Sequence, residues 1–206
     1  MATVTNALRR GLPPLPARMQ DLPVDERGYP IPEFVSRLDG KRDFRAVSLD
    51  HLAKCIRDDV CWVCGQALDA LKVFVIGPLP ALQGISNEPP SHAECAEFAA
   101  KACPFLLLPQ AKHRPVDSPE VRKMRGAMRG DNPGVCCLYT VRGYAYSEGP
   151  KGVLFRTGRA TQVEWYTLGR KATRDEVLAA IRDSLATIRR ASDLQAFERR
   201  IAELLP

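Results

Sequence analysis

The chain has 206 residues and a mass of 22.8 kDa, enough to bury a sizeable core. With 45% hydrophobic and 26% charged residues it is neither disordered nor collagen-like, and no run approaches the roughly 20 apolar residues of a membrane-spanning helix. A net charge of +6, from 30 Lys+Arg against 24 Asp+Glu, permits an anionic partner without requiring one.

The first residues contain no unbroken apolar stretch of the about 7–15 residues that a secretory signal needs. A cytoplasmic chain with no membrane partner is therefore the expectation. Reducing conditions there turn closely spaced cysteines into metal-ligand candidates rather than disulfide partners. Residues 1–30 hold Pro13, Pro14, Pro16, Pro23 and Pro30, which predicts an irregular leader draped over the domain.

The second segment, 31–110, opens with residues 34–38 and 41–47, which read as a β-hairpin around the two-residue turn Asp39-Gly40. Ser48 is placed to cap a short helix with Leu49, Leu52 and Ile56 on one face. His51 and Cys55 lie on that helix. Next come Cys61-Trp-Val-Cys64-Gly65, an apolar strand Val73–Ile76, and a loop running from Gly77-Pro78 to Pro89-Pro90. Ser91 and Glu94 have the spacing of a capping box, which predicts a helix that opens at His92 and Cys95 and stops before Pro104.

Residues 111–130 carry six basic and two acidic side chains, the steepest charge bias in the chain. The stretch 111–133 reads as a basic linker or loop. Lys112, Arg114, Arg122, Lys123, Arg125 and Arg129 are its candidates for contact with nucleic acid. The stretch lacks aromatics for base stacking, and a solvated linker is the commoner meaning of such composition.

The last segment, 134–206, shows three β-like runs, 135–141, 153–156 and 162–167, the last two flanking the turn Gly158-Arg-Ala. Two helices follow. Thr173/Glu176 and Ser192/Gln195 each have capping-box spacing and precede apolar residues at helical intervals. The fold class expected is α+β, with a zinc module, a small antiparallel sheet and two C-terminal helices.

Chemistry concentrates in Cys61-x2-Cys64 and His92-x2-Cys95, two ligand pairs separated by 27 residues. A Cys-x2-Cys turn lets two thiolates converge on one ion, and Gly65 permits the tight knuckle. The second pair sits where a helix N-terminus favours thiolate over thiol. Knuckle, strand, loop and first helical turn together resemble a treble-clef zinc finger over residues 61–103. The resemblance implies one structural Zn2+ on Cys61, Cys64, His92 and Cys95. More loosely, residues 16–180 resemble uncharacterised proteins of bacteria and their phages. That likeness rests on Leu22-Pro23, Asp25-Glu-Arg-Gly-Tyr-Pro30, the Cys-Trp-Val-Cys-Gly knuckle and Pro89-Pro-Ser-His-x-x-Cys95, and it implies no function.

Treble-clef folds include HNH nucleases, whose general-base histidine lies in the hairpin between the ligand pairs. Here Leu71–Gly77 has no His, Asp or Glu. His51 reads as a surface or capping residue, Asp58 and Asp59 as solvated surface, and Cys55 as poorly placed for a ligand. Cys136 and Cys137, neighbours in a strand, point to opposite faces. No residue stands out as catalytic. The expectation is a zinc-stapled binding protein acting on an unidentified protein partner, with nucleic-acid binding through 111–130 as the alternative and a metal-dependent nuclease or hydrolase as the second. Oligomeric state is open.

Overall fold

The computed structural model describes residues 7–38, 41–107, 134–149, 152–186 and 191–206. Among these the chain is a mixed α/β structure with six helices and antiparallel sheets. The leader makes a 3-10 turn at Ala17–Met19 and a bridge between Val24 and Pro30, and lies against the body through buried Met19, Leu22 and Ile31. β1 (Val35–Leu38) and β2 (Lys41–Val47) pair antiparallel, with Leu38 opposite Lys41. Such a register leaves two residues between the strands. The turn itself, 39–40, lies outside the described residues.

Ser48 caps α1 (Leu49–Asp58), its hydroxyl accepting from the His51 backbone N–H at 3.2 Å. The His51 side chain is a correction to the sequence reading. It is buried rather than superficial, stacked on the Trp62 ring at 5.4 Å, with Nε2 3.1 Å from the Trp62 carbonyl. The amphipathic turn that carries Leu52 inward carries His51 with it, and an aromatic neighbour accepts the flat ring.

β3 (Lys72–Ile76) pairs not with a neighbour in sequence but with β5 (Cys136–Val141), Phe74 opposite Tyr139. Between them in the chain come α2 (Pro78–Gln83), β4 (Ile85–Ser86), α3 (Ala93–Ala102) and α4 (Pro104–Leu107). The loop expected after Gly77 thus contains a helix, with Pro78 at its first position and Gly84 left-handed at its end (φ +68°). Cys103, before Pro104, is extended as the following ring requires, and separates α3 from α4.

After β5 come β6 (Ala145–Gly149), β7 (Gly152–Arg156), β8 (Gln162–Thr167) and β9 (Arg170–Lys171), then α5 (Arg174–Leu185) and α6 (Ala191–Leu204). One sheet has the order β3-β5-β8-β9 and another β4-β7-β6, both antiparallel. The runs flanking Gly158 therefore belong to different sheets, and the turn carries the chain from one to the other. Strands from before residue 107 and after residue 134 share both sheets.

β5 is buried along its whole length, because both faces of its sheet are covered. Alternate residues Cys137, Tyr139 and Val141 join Phe74, Trp165, Leu82, Val177 and Ile181 in the main core. Cys136 and Leu138 face Val73, Tyr166 and the small residues Ala96 and Ala100 of α3. The two adjacent cysteines do point to opposite faces. α6 is tied to the sheet by the Trp165 indole N–H, which donates to the Leu204 carbonyl at 2.7 Å. Ser192 lies within α6 rather than before it.

Thr173 and Glu176 form the expected capping box at α5. Arg170 grips the Glu176 carboxylate with two nitrogens, at 2.6 and 2.9 Å. That ion pair, followed by the bond from the Thr173 N–H, holds the Glu176 carboxyl down at about 2. Its stabilising contribution is thus fully present above the ordinary glutamate value and lost as pH falls from about 4.5 towards 2. Thr173→Ala is expected to cost about 1 kcal/mol in chemical denaturation at neutral pH. Glu176→Gln should flatten the stability profile in that acid window, measured by urea titrations at a series of pH values.

Candidate metal centre

The Cys61–Gly65 knuckle is a local structure. The Gly65 N–H returns to the Cys61 carbonyl at 2.9 Å and the Cys61 N–H donates to the Gln66 carbonyl at 2.7 Å. Gly65 has φ +72°, the left-handed region that lets the chain reverse here. This turn points the Cys64 N–H at Cys61 Sγ, 3.5 Å away.

The second pair is positioned differently from expectation. α3 starts at Ala93, with His92 as its N-cap, and the Ser91/Glu94 capping box does not form. Ser91 is buried and exchanges backbone hydrogen bonds with Val73 at 2.8 and 2.9 Å, which places it beside β3. Glu94 turns outward to Arg18 Nε at 2.9 Å. The effect on the site is to leave the imidazole free to turn inward while the His92 backbone N–H donates to Cys61 Sγ at 3.4 Å. Cys95 follows in the first turn of α3.

Sγ of Cys61, Cys64 and Cys95 and a ring nitrogen of His92 all lie within 4.8 Å of one another, and all four residues are buried. Cys61, His92 and Cys95 are 0% exposed and Cys64 8%. His92 Nδ1 faces the sulfurs, 3.4 Å from Cys64 Sγ and 3.9 Å from Cys95 Sγ. Ligands on a tetrahedral ion with metal–sulfur bonds of about 2.3 Å stand about 3.8 Å apart, so the donor set fits one metal ion in both chemistry and spacing. We assign the ring proton to Nε2, which donates to the Ala67 carbonyl at 2.8 Å and fixes the tautomer that offers Nδ1 to a metal.

The electrostatics favour deprotonation of one sulfur, that of Cys61, over the other two. Thiol hydrogen bonds from Cys64 and Cys95, with the two backbone N–H groups behind them, hold Cys61 far below the ordinary thiol range. The same sharing pushes Cys64 up to about 11 and Cys95 strongly upward, since both act as donors to Cys61 and stand beside its charge. Three sulfurs in a buried space cannot all ionise without a cation among them.

The other candidates stand apart. Cys55 is buried against His51, Sγ to Nε2 at 3.5 Å, and burial first of all pushes its thiol up to about 12. Asp58 pairs with Arg57, and Asp59 with Lys72 and the Tyr144 hydroxyl. None of them, nor His51, belongs to the cluster. Lys112, Arg114, Arg122, Lys123, Arg125 and Arg129 lie outside the described residues. Sequence reasoning missed the cover over the cluster: Met19, Leu22, Val63, Phe98 and Ala102 pack with the three cysteines, and Arg18 reaches the edge of the His92 ring. No periodicity or spacing signals a contact across more than 70 residues.

The knuckle supplies a direct test. A Cβ on Gly65 would sit in the left-handed region and 3.0 Å from Glu33 Cγ. Gly65→Ala should therefore lower stability by about 1–2 kcal/mol. Gly143→Ala, where a Cβ meets nothing within 4 Å and φ is not positive, should change denaturation little.

No family model, curated protein or solved structure matches the chain.

Proposed function

We propose that Cys61, Cys64, His92 and Cys95 hold one structural zinc ion, and that the protein is a zinc-stapled binding protein acting on a macromolecular partner. The observation that carries this reading is the closed donor set: three sulfurs and one imidazole nitrogen, all buried, converging within 4.8 Å. Soft thiolates in tetrahedral array select zinc over hard cations. Four protein ligands leave no position for the water that a catalytic zinc polarises. Three thiolates and a neutral imidazole would also give zinc a net charge of −1, a poor Lewis acid.

Knuckle and helix start support a treble-clef-like relationship. The hairpin strand between them is supplied differently here, since β3 takes its partner β5 from the far side of the chain. All seven cysteines are free, which suits a reducing cytoplasm. Among the described residues no helix is long and apolar enough to cross a membrane. The leader and knuckle motifs make a bacterial or phage accessory role the natural setting for such a protein, with an unidentified protein as its partner.

Freshly purified protein should carry one equivalent of zinc by elemental analysis. Cys64→Ser should lose both metal and solubility, because a site of this kind supplies folding free energy. Cobalt substitution should give the strong visible absorption of a thiolate-rich tetrahedral ion, unmoved by added small anions. Zinc well below one equivalent, with no recovery on added metal, sinks the metal reading. An anion-sensitive cobalt spectrum sinks the structural role and favours an enzyme. A pull-down from bacterial lysate, with and without nuclease, tests the partner: capture that survives nuclease supports a protein, and capture lost with nuclease transfers the reading to nucleic acid.

A further inference from the structure

The leader does more than cover apolar surface. Its Arg18 stands at the edge of the cluster and joins the two halves of the donor set. On the knuckle side, Nη2 reaches both oxygens of Asp69 at 3.1 and 3.0 Å, and the Gln66 side-chain amide donates to the Arg18 carbonyl at 3.2 Å. On the helix side, Nε meets Glu94 at 2.9 Å; Nη1 sits 3.0 Å from His92 Nε2, a contact between two N–H donors that the Glu94 ion pair holds rather than a hydrogen bond. The next residue, Met19, is 1% exposed and packs with Cys61, Cys64 and Cys95.

Resting on the zinc reading above, we propose that residues 8–31 form a latch over the metal centre, with Arg18 as the positioning residue that closes it. Two physical effects act together. A [Zn(Cys)3His] unit of net charge −1 beside the carboxylates of Asp69 and Glu94 is stabilised by a nearby cation, and the Arg18 guanidinium, paired with both carboxylates at the edge of the cluster, supplies it. The planar fork of arginine also bonds Asp69 and Glu94 at once, which holds the knuckle loop and the start of α3 at a fixed distance. The latch therefore retains the metal by charge and by geometry. Opening it exposes the sulfurs to solvent and to competing ligands.

Coupling of this kind is reciprocal: if the seated leader tightens metal binding, bound metal must tighten the seating of the leader. Each direction gives a measurement on the full chain. The first is competition for zinc with a chromogenic chelator, followed for affinity and release rate in the parent, Arg18→Gln, Arg18→Lys and Arg57→Gln. Arg57 lies outside the leader, on α1, and bonds the exposed carboxylate of Asp58. Arg18→Gln should weaken zinc affinity about 10- to 100-fold and speed release. Arg18→Lys, which keeps the charge without the fork, should fall between it and the parent, and Arg57→Gln should match the parent. Parent-like affinity and release in Arg18→Gln would overturn the latch.

The second measurement needs no variant. Trypsin cleavage after Arg18, scored relative to cleavage after Arg182 in α5, should be suppressed when zinc is bound and rise when zinc is stripped. Equal relative cleavage in both states would overturn the proposal. A parent chain that holds no zinc at all would instead defeat the metal reading, whereas zinc-loaded protein indifferent to Arg18 defeats the latch alone.

Discussion

Three sulfurs and an imidazole nitrogen buried within 4.8 Å of one another cannot be held together by apolar packing alone. Thiols are weak donors, thiolates repel, and neither is solvated in this space. The cluster is held by what surrounds it: the backbone N–H groups of Cys64 and His92 aimed at Cys61, the Ala67 carbonyl on His92 Nε2, and the apolar side chains of Met19, Leu22 and Phe98 over the sulfurs. A bound cation would complete that arrangement.

The site in turn organises the fold around it. The Trp62 side chain, between the two knuckle cysteines, stacks on Phe34, immediately before β1, at 5.0 Å and on His51 of α1 at 5.4 Å, so the knuckle is fastened to the hairpin and to the first helix. Ser91 bridges to Val73, which sets the start of α3 against β3. β3 is hydrogen-bonded to β5, the fully buried strand at the centre of the main core. The segment that carries the four candidate ligands is thereby continuous with the large sheet rather than appended to it. Binding free energy gained at the cluster would be felt as stability in the sheet.

A network of this kind suits a scaffold. The titratable groups near the cluster are each held by partners of their own: Asp69 and Glu94 by Arg18, Asp59 by Lys72 and Tyr144, His51 by the Trp62 carbonyl. Their arrangement fixes positions of chain segments.

What was legible in the sequence was local. The Cys-x2-Cys turn with Gly65, the Thr173/Glu176 capping box, the Ser48 cap and the break at Pro104 each depend on atoms within a few residues of one another, so residue type and spacing determine them. The helix at Pro78–Gln83 was legible by the same logic, through Pro at its first position and Gly84 past its end, but the two prolines of that stretch read more readily as a loop. Ser91 and Glu94 had a local pattern too, and there tertiary contacts won: a buried strand bridge took the serine and Arg18 took the carboxylate. Tertiary structure alone decided that β3 pairs with β5, that His51 is buried against Trp62, and that Arg18 faces His92 across 74 residues. Such contacts carry no periodicity along the chain. They are set by which surfaces remain unpaired once local elements form, and that is a property of the whole packed molecule rather than of any stretch of its sequence.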